Sequence, residues 1–328
     1  MRNLAVCVVL ALVALSLPAT ATAVGAAPKG SSCHVASPTG ERTIALTDQG
    51  VSRPFLLFVP RGYQPRKPMP LLLDLHSSGS SGAAQLQVGD MEDAADRRGY
   101  VVVAPDGAVS YPGGGYAWNV PGVPLVSGSP VPAGTPNDED YLLRVIRAAK
   151  RAVCIDPDRV YATGYSGGAR MASALACDQA DEIAAIAPVA GLRAGVPVES
   201  ADGAWSPGRS TCRPSRPVSV LAFHGTTDEV NPYAGNDDPR WGYGVEQALT
   251  AWARLDRCKR GPSTRAVSPT ESLISYRRCR AGATVGLYRA AGTGHTWPGN
   301  DQPEFGPTDM SISATEVMLR FFARLRAG

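Results

Sequence analysis

Val160-Tyr161-Ala162-Thr163-Gly164-Tyr165-Ser166-Gly167-Gly168-Ala169-Arg170-Met171 runs from an apolar, β-prone segment through a glycine-flanked serine into a stretch with helical spacing. Gly164 to Gly168 has the form G-x-S-x-G. The run before it and the helix-like Ala169 to Cys177 after it supply the strand–turn–helix context this motif needs. Such a turn lifts the serine hydroxyl above the edge of a sheet, and its glycines let backbone and helix approach without Cβ clashes. The helix that follows aims its N-terminus at the site, where developing negative charge is stabilised. In a chain with 35 glycines the bare motif is weak; in this context it makes Ser166 the candidate nucleophile.

Working outward, short apolar runs recur at Pro54 to Val59, Pro70 to His76, Tyr100 to Ala104, Ile183 to Val189, Val218 to His224 and Val285 to Tyr288. They are continuous rather than alternating, which suits strands buried on both faces of a mainly parallel sheet. Helical spacing lies between them. Tyr141 to Val153 is the clearest, with Asp138 or Asp140 as cap, and Val245 to Asp256 and Ala314 to Leu325 are further examples. Strands alternating with helices predict an α/β architecture, a mainly parallel sheet with helices on both faces. With the serine elbow, this is the α/β-hydrolase fold. Chemistry is then expected just beyond the carboxyl ends of the strands.

A serine needs a base to become a nucleophile near neutral pH. The chain has four histidines. His34 precedes every strand, and His76 and His224 end strands that come before the expected acid. His295, in Gly292-Thr293-Gly294-His295-Thr296-Trp297-Pro298-Gly299, follows the last strand and completes the order Ser, Asp, His. The acid should leave a late strand, and His224-Gly225-Thr226-Thr227-Asp228-Glu229 supplies Asp228, with Glu229 as its neighbour and alternative. Asp228 would hold the Nδ1 side of His295 and stabilise its imidazolium. Two backbone N–H groups make an oxyanion hole, one from Gly167 and one from the loop Leu75-His76-Ser77-Ser78-Gly79. Ser77 is the expected second donor, with Ser78 as competitor.

The start of the chain reads as a signal peptide, residues 1–27: a basic Met1-Arg2, an uncharged apolar run from Leu4 to Leu17, and Ala21-Thr22-Ala23 of small-x-small form. Residues 28–328 are expected to form one catalytic domain, since no linker, repeat or low-complexity tail divides them. A net charge of +3, with no long Lys/Arg run, gives no support to nucleic-acid binding or to membrane attachment after cleavage. The expected protein is secreted, extracellular and monomeric.

Six cysteines remain after the signal peptide, an even number that reads as three disulfides in an exported protein. They allow 15 pairings. The short loops favour Cys177 with Cys212 and Cys258 with Cys279, leaving Cys33 with Cys154. No ligand spacing suggests a metal site, and no cofactor is expected.

Two long Gly- and Pro-rich stretches, Val109 to Asn137 and Leu192 to Arg216, have the length of functional rims. Trp118 in the first and Trp297 beside His295 are candidate substrate contacts, as is Trp241, stacking on an aromatic acid or a sugar. Trp297 equally suits packing that fixes the histidine loop.

The segments His224 to Val230, Gly292 to Gly299 and Asp156 to Gly168 resemble the secreted poly(3-hydroxybutyrate) depolymerase and feruloyl esterase group, of carbohydrate esterase family 1 type. The similarity runs from about Pro54 to the C-terminus. It implies hydrolysis of carboxylic esters, either feruloyl or acetyl esters of plant polysaccharide or polyesters of the poly(3-hydroxybutyrate) type. It also implies the Cys177–Cys212 bridge. The group often carries His-Gly-Cys where this chain has His76-Ser77-Ser78, and Ser-Asn-Gly or Ser-Asp-Gly where it has Ser166-Gly167-Gly168. The competing readings are an acyltransferase on the same fold, of the mycolyl-transferase type, and a non-catalytic exported binding protein.

Overall fold

Leu71, Leu73 and Leu75 turn to one side of their strand and Leu72 to the other, yet all four are completely buried. Val101 and Val103 against Val102 and Ala104 repeat the pattern, as do Val220 and Ala222 against Leu221 and Phe223. A strand covered on both faces has no polar side to show, so its sequence reads as an unbroken apolar run. Each such side chain contributes roughly 1.5–3 kcal/mol on burial, which holds these strands at the centre of the molecule.

The computed structural model describes residues 33–302 and 305–327; the expected signal peptide lies outside the described residues. Ten strands form the main sheet. They are β1 (Gly40–Ile44), β2 (Phe55–Val59), β3 (Met69–Leu75), β4 (Val101–Pro105), β5 (Ile155–Tyr165), β6 (Ala185–Val189), β7 (Ser219–Gly225), β8 (Arg260–Ala266), β9 (Glu271–Arg277) and β10 (Val285–Ala290). Their order across the sheet is β1-β2-β4-β3-β5-β6-β7-β10-β9-β8. From β4 across to β10 every neighbouring pair is parallel. Antiparallel strands finish both edges.

Six helices bear on the two faces: α1 (Gly82–Val88), α2 (Met91–Arg98), α3 (Asp138–Ala152), α4 (Gly167–Asp178), α5 (Val245–Leu255) and α6 (Ala314–Phe322). Helices α3, α4 and α5 share one core cluster with the sheet, and α1, α2 and α6 share the other. This is the mainly parallel, doubly covered α/β-hydrolase arrangement that the sequence predicts.

The cap of α3 differs from expectation. Asn137 caps the helix, its side chain accepting from the Glu139 N–H at 2.8 Å. Asp138 is instead buried, paired with the Arg53 guanidinium at 2.5 Å and accepting from the Asn119 N–H at 2.8 Å. The edge strand β1 and the hairpin β8–β9 escape the sequence reading because their residues do not form apolar runs; β8 is exposed along its whole length.

Cys33–Cys154, Cys177–Cys212 and Cys258–Cys279 are all bridged, the pairing expected. The second ties the last turn of α4 to the 192–216 segment. That segment contains a small ladder between Pro197–Glu199 and Trp205–Pro207, and the 109–137 segment one between Val109–Ser110 and Tyr116–Ala117. Among the described residues no helix is long and apolar enough to cross a membrane.

Candidate active site

Strand β5 ends in a turn that only glycine can flank. A Cβ on Gly168 would lie 2.0 Å from the Leu75 carbonyl oxygen, and one on Gly164 2.6 Å from the Gly168 carbonyl carbon. Between them Ser166 takes φ 54° and ψ −110°, a strained conformation for a residue with a side chain. Its own N–H is held by the Val189 carbonyl at 3.0 Å and its carbonyl accepts from the Arg170 N–H at 3.1 Å. The turn is thus fixed on one side by β6 and on the other by the first turn of α4. Ser166 is 6 % exposed.

Asp228 leaves β7 in a loop that uses both of its carboxylate oxygens. Oδ1 accepts from the N–H groups of Val230 at 2.9 Å and Asn231 at 2.7 Å. Oδ2 lies 2.7 Å from His295 Nδ1 and 3.1 Å from His224 Nε2. Burial alone would raise the Asp228 pKa, but hydrogen bonds from His224 and His295 outweigh it and hold the carboxyl well below the usual range. Glu229, the neighbouring alternative, is exposed to solvent.

His295 is fixed on several sides. Its N–H donates to the Phe305 carbonyl at 2.9 Å, and its carbonyl accepts from the Tyr165 hydroxyl. The Tyr165 ring stacks on the imidazole at 5.1 Å, so the residue just before Ser166 touches the histidine. The acid and histidine loops are joined directly as well, Thr227 N–H and hydroxyl both donating to the Thr293 carbonyl, at 3.0 and 2.8 Å. Asn231 Nδ2 donates to the Ala190 carbonyl at 2.9 Å, tying the acid loop to the end of β6.

The loop after β3 decides between Ser77 and Ser78. Ser77 faces its carbonyl to His76 Nδ1 at 2.7 Å. Ser78 is the residue set against Gly167: a Cβ on Gly167 would lie 2.6 Å from Ser78 Oγ and 3.3 Å from its backbone N. Of the two serines the sequence offers, Ser77 and its competitor Ser78, this proximity favours Ser78. His76 is a structural residue. Its Nε2 accepts from the Gly107 N–H at 3.0 Å, which leaves the proton on Nδ1, and burial lowers its pKa.

Trp118 and Trp297, the candidate substrate contacts, are both buried. They are 3 % and 1 % exposed. Trp118 packs on the His76 ring at 4.7 Å and donates Nε1 to the His76 carbonyl at 2.8 Å. Trp297 donates to Thr315 Oγ1 at 3.0 Å and meets Tyr165 edge-on. Each braces a loop of the site from behind. Trp241 is buried too, covered by arginine.

The residue the sequence argument passes over is His224. Chain order rules it out as the base, but its place at the end of β7, four residues before Asp228, is the signal that puts it on the acid. Its Nε2 lies 2.9 Å from the Asn231 carbonyl as well as 3.1 Å from Asp228, so the proton sits on that nitrogen.

Fold and site together define the class as an α/β-hydrolase. No family model matches the chain. It is 31 % identical over 250 residues to Feruloyl esterase B of Piromyces equi, a match covering 74 % of this chain and 42 % of that protein. It is 27 % identical over 278 residues to Putative esterase NocK of Nocardia uniformis subsp. tsuyamanensis, covering 77 % of this chain and 73 % of the other. The crystal structure of a CE1 ferulic acid esterase from Anaeromyces mucronatus superposes with a TM-score of 0.52 at 16 % identity, over 87 % of this chain and 90 % of that one. The chain therefore spans less than half of the feruloyl esterase it matches. It is a homologue of esterases of the carbohydrate esterase family 1 kind, the group its motifs resemble.

Proposed function

We propose that this protein is an exported serine esterase that cleaves carboxylic esters through an acyl-enzyme on Ser166. The observation that carries the reading is the 2.7 Å contact of Asp228 Oδ2 with His295 Nδ1, in the loops after β7 and β10 of the sheet whose strand β5 ends in the strained Ser166 turn. In the first step Ser166 Oγ attacks the ester carbonyl and His295 Nε2 takes its proton. Asp228, kept ionised, stabilises the imidazolium. The N–H groups of Gly167 and Ser78 receive the oxyanion. His295 then protonates the leaving alcohol, and water releases the acid by the same steps in reverse order.

The names of the relatives support a feruloyl or acetyl ester as substrate, with poly(3-hydroxybutyrate)-type polyesters as the alternative that the sequence resemblance implies. Three disulfides support an oxidising compartment. The test is acid release from p-nitrophenyl acetate, methyl ferulate and a poly(3-hydroxybutyrate) film by wild type and Ser166→Ala. Wild type should cleave at least one, with the variant slower by about 10³-fold or more. A variant that keeps its rate would remove Ser166 from the chemistry.

A further inference from the structure

A cavity of about 310 Å³ lies beside α4, lined in part by Val120, Val123 and Val196 and by two arginines, Arg170 and Arg193. Arg170 stands one helical turn after Ser166. Both arginines are buried, at 3 % and 6 % exposure. Among the described residues Nε and Nη2 of each find no hydrogen-bond partner. Arg193 Nη1 donates to the Trp241 carbonyl at 2.6 Å. Otherwise the guanidinium groups rest on aromatic faces, Arg170 on Trp241 and Arg193 on Tyr243, each 4.1 Å from the ring centroid.

The carboxylates close by, Asp238 and Asp178, each have another partner, although Asp238 also acts on Arg170. Asp238 is engaged by Arg240, with Nε at 2.8 Å. Asp178, which also lines the cavity, is hydrogen-bonded to Glu139, and burial raises both of these carboxyl groups. Burial, with Arg193 and Arg240 close by, pulls the Arg170 guanidinium down to about 9. A buried cation is costly unless an anion pairs with it. Two like charges side by side raise that cost, and the planar donor fork of arginine matches a carboxylate.

We propose that Arg170 and Arg193 form a carboxylate-binding subsite for an organic acid with a short apolar body, its carboxylate on the guanidinium groups and its chain against the valines. As part of an enzyme this rests on the esterase reading, in which the ligand is a substrate or product bearing a free acid. The binding itself does not depend on that reading.

The experiment uses full-length Ser166→Ala protein, in which an ester ligand survives the measurement. Sodium 3-hydroxybutyrate and methyl 3-hydroxybutyrate are titrated by calorimetry, with tryptophan fluorescence as a second signal for Trp241. The acid should bind at least tenfold more tightly than the methyl ester, and adding Arg170→Gln or Arg193→Gln should weaken it at least tenfold. If a glutamine variant fails to fold, the acid–ester comparison still decides, and Arg193→Lys, which keeps the charge and loses the fork, replaces it. Equal binding of acid and ester, no binding of either, or undiminished binding to folded variants overturns the proposal. Sodium sulfate binding as tightly as the acid, at equal ionic strength, overturns the carboxylate assignment. Hydrolysis of p-nitrophenyl acetate by wild type reports separately on the esterase reading, so either can fail alone.

Discussion

Asp228 and Glu271 are carboxyl groups sunk to similar depth, 5 % and 2 % exposed, and they end in opposite states. Burial pushes both pKa values up. At Asp228 two histidines and two backbone N–H groups surround the carboxylate, and the group stays ionised. Glu271 on β9 faces a second carboxyl, Asp309, which already takes the Ser311 N–H at 2.7 Å and the Thr270 hydroxyl at 3.3 Å. Asp309 is lowered, and Glu271 is pushed up to about 9. Burial sets how much is at stake; the donors within reach decide the sign.

The largest break in this comparison is Asp228→Asn. The shape is kept, but an amide cannot stabilise the imidazolium as a carboxylate does. The kcat on p-nitrophenyl acetate should fall by about 10³–10⁴-fold, the scale of this substitution in the serine-protease triad. Circular dichroism should be unchanged. A loss under tenfold would separate Asp228 from the chemistry.

Glu271→Gln tests the other half. Its folded pKa lies above the unfolded one, so the protonated carboxyl favours the fold fully below about pH 4.5, and that contribution is lost as pH rises toward 9. Wild-type stability should decline across this window. The glutamine variant should be flatter, and more stable at pH 8 by on the order of 2 kcal/mol. Parallel pH–stability curves would contradict the protonated state of Glu271.

The smallest effect is expected at His224. His224→Gln removes one of the two histidine donors to Asp228, and kcat should drop about tenfold with KM little changed, the scale of one hydrogen bond to a charged group. With Asp228 ionised throughout, the acid limb of the wild-type profile should have unit slope. In the variant the Asp228 pKa rises, and the limb should steepen at its acid end. An unaltered profile would make His224 a packing residue.

Much of this is legible in the amino-acid sequence, for identifiable reasons. The central strands show themselves because both of their faces are buried. β1, β8 and β9 do not, because β1 and β9 mix polar with apolar residues and β8 is exposed along its whole length. Ser166, Asp228 and His295 are singled out by chain order and strand ends, and the structure brings Asp228 and His295 into contact. The preference for Ser78 over Ser77 turns on which residue lies against Gly167, and residue type does not encode that. For Trp118 and Trp297 the sequence leaves substrate contact and brace equally open, because an aromatic ring beside such a residue serves as either. The paired arginines are invisible because Arg193 and Trp241 stand 48 residues apart and meet only in the fold.

The joint between β3 and the serine turn has a consequence for how such a protein can change. With a Gly168 Cβ position 2.0 Å from the Leu75 oxygen and Ser78 against Gly167, the Ser166 turn and the loop after β3 form a single mechanical part with no room for variation. On the proposed esterase reading, a lineage adapting to a new ester could not do so there without losing the geometry of attack. Its freedom lies in the 109–137 and 192–216 segments, which approach the cavity beside α4 without passing through that joint. Inheritance would therefore preserve the reaction while the diet of the enzyme drifts.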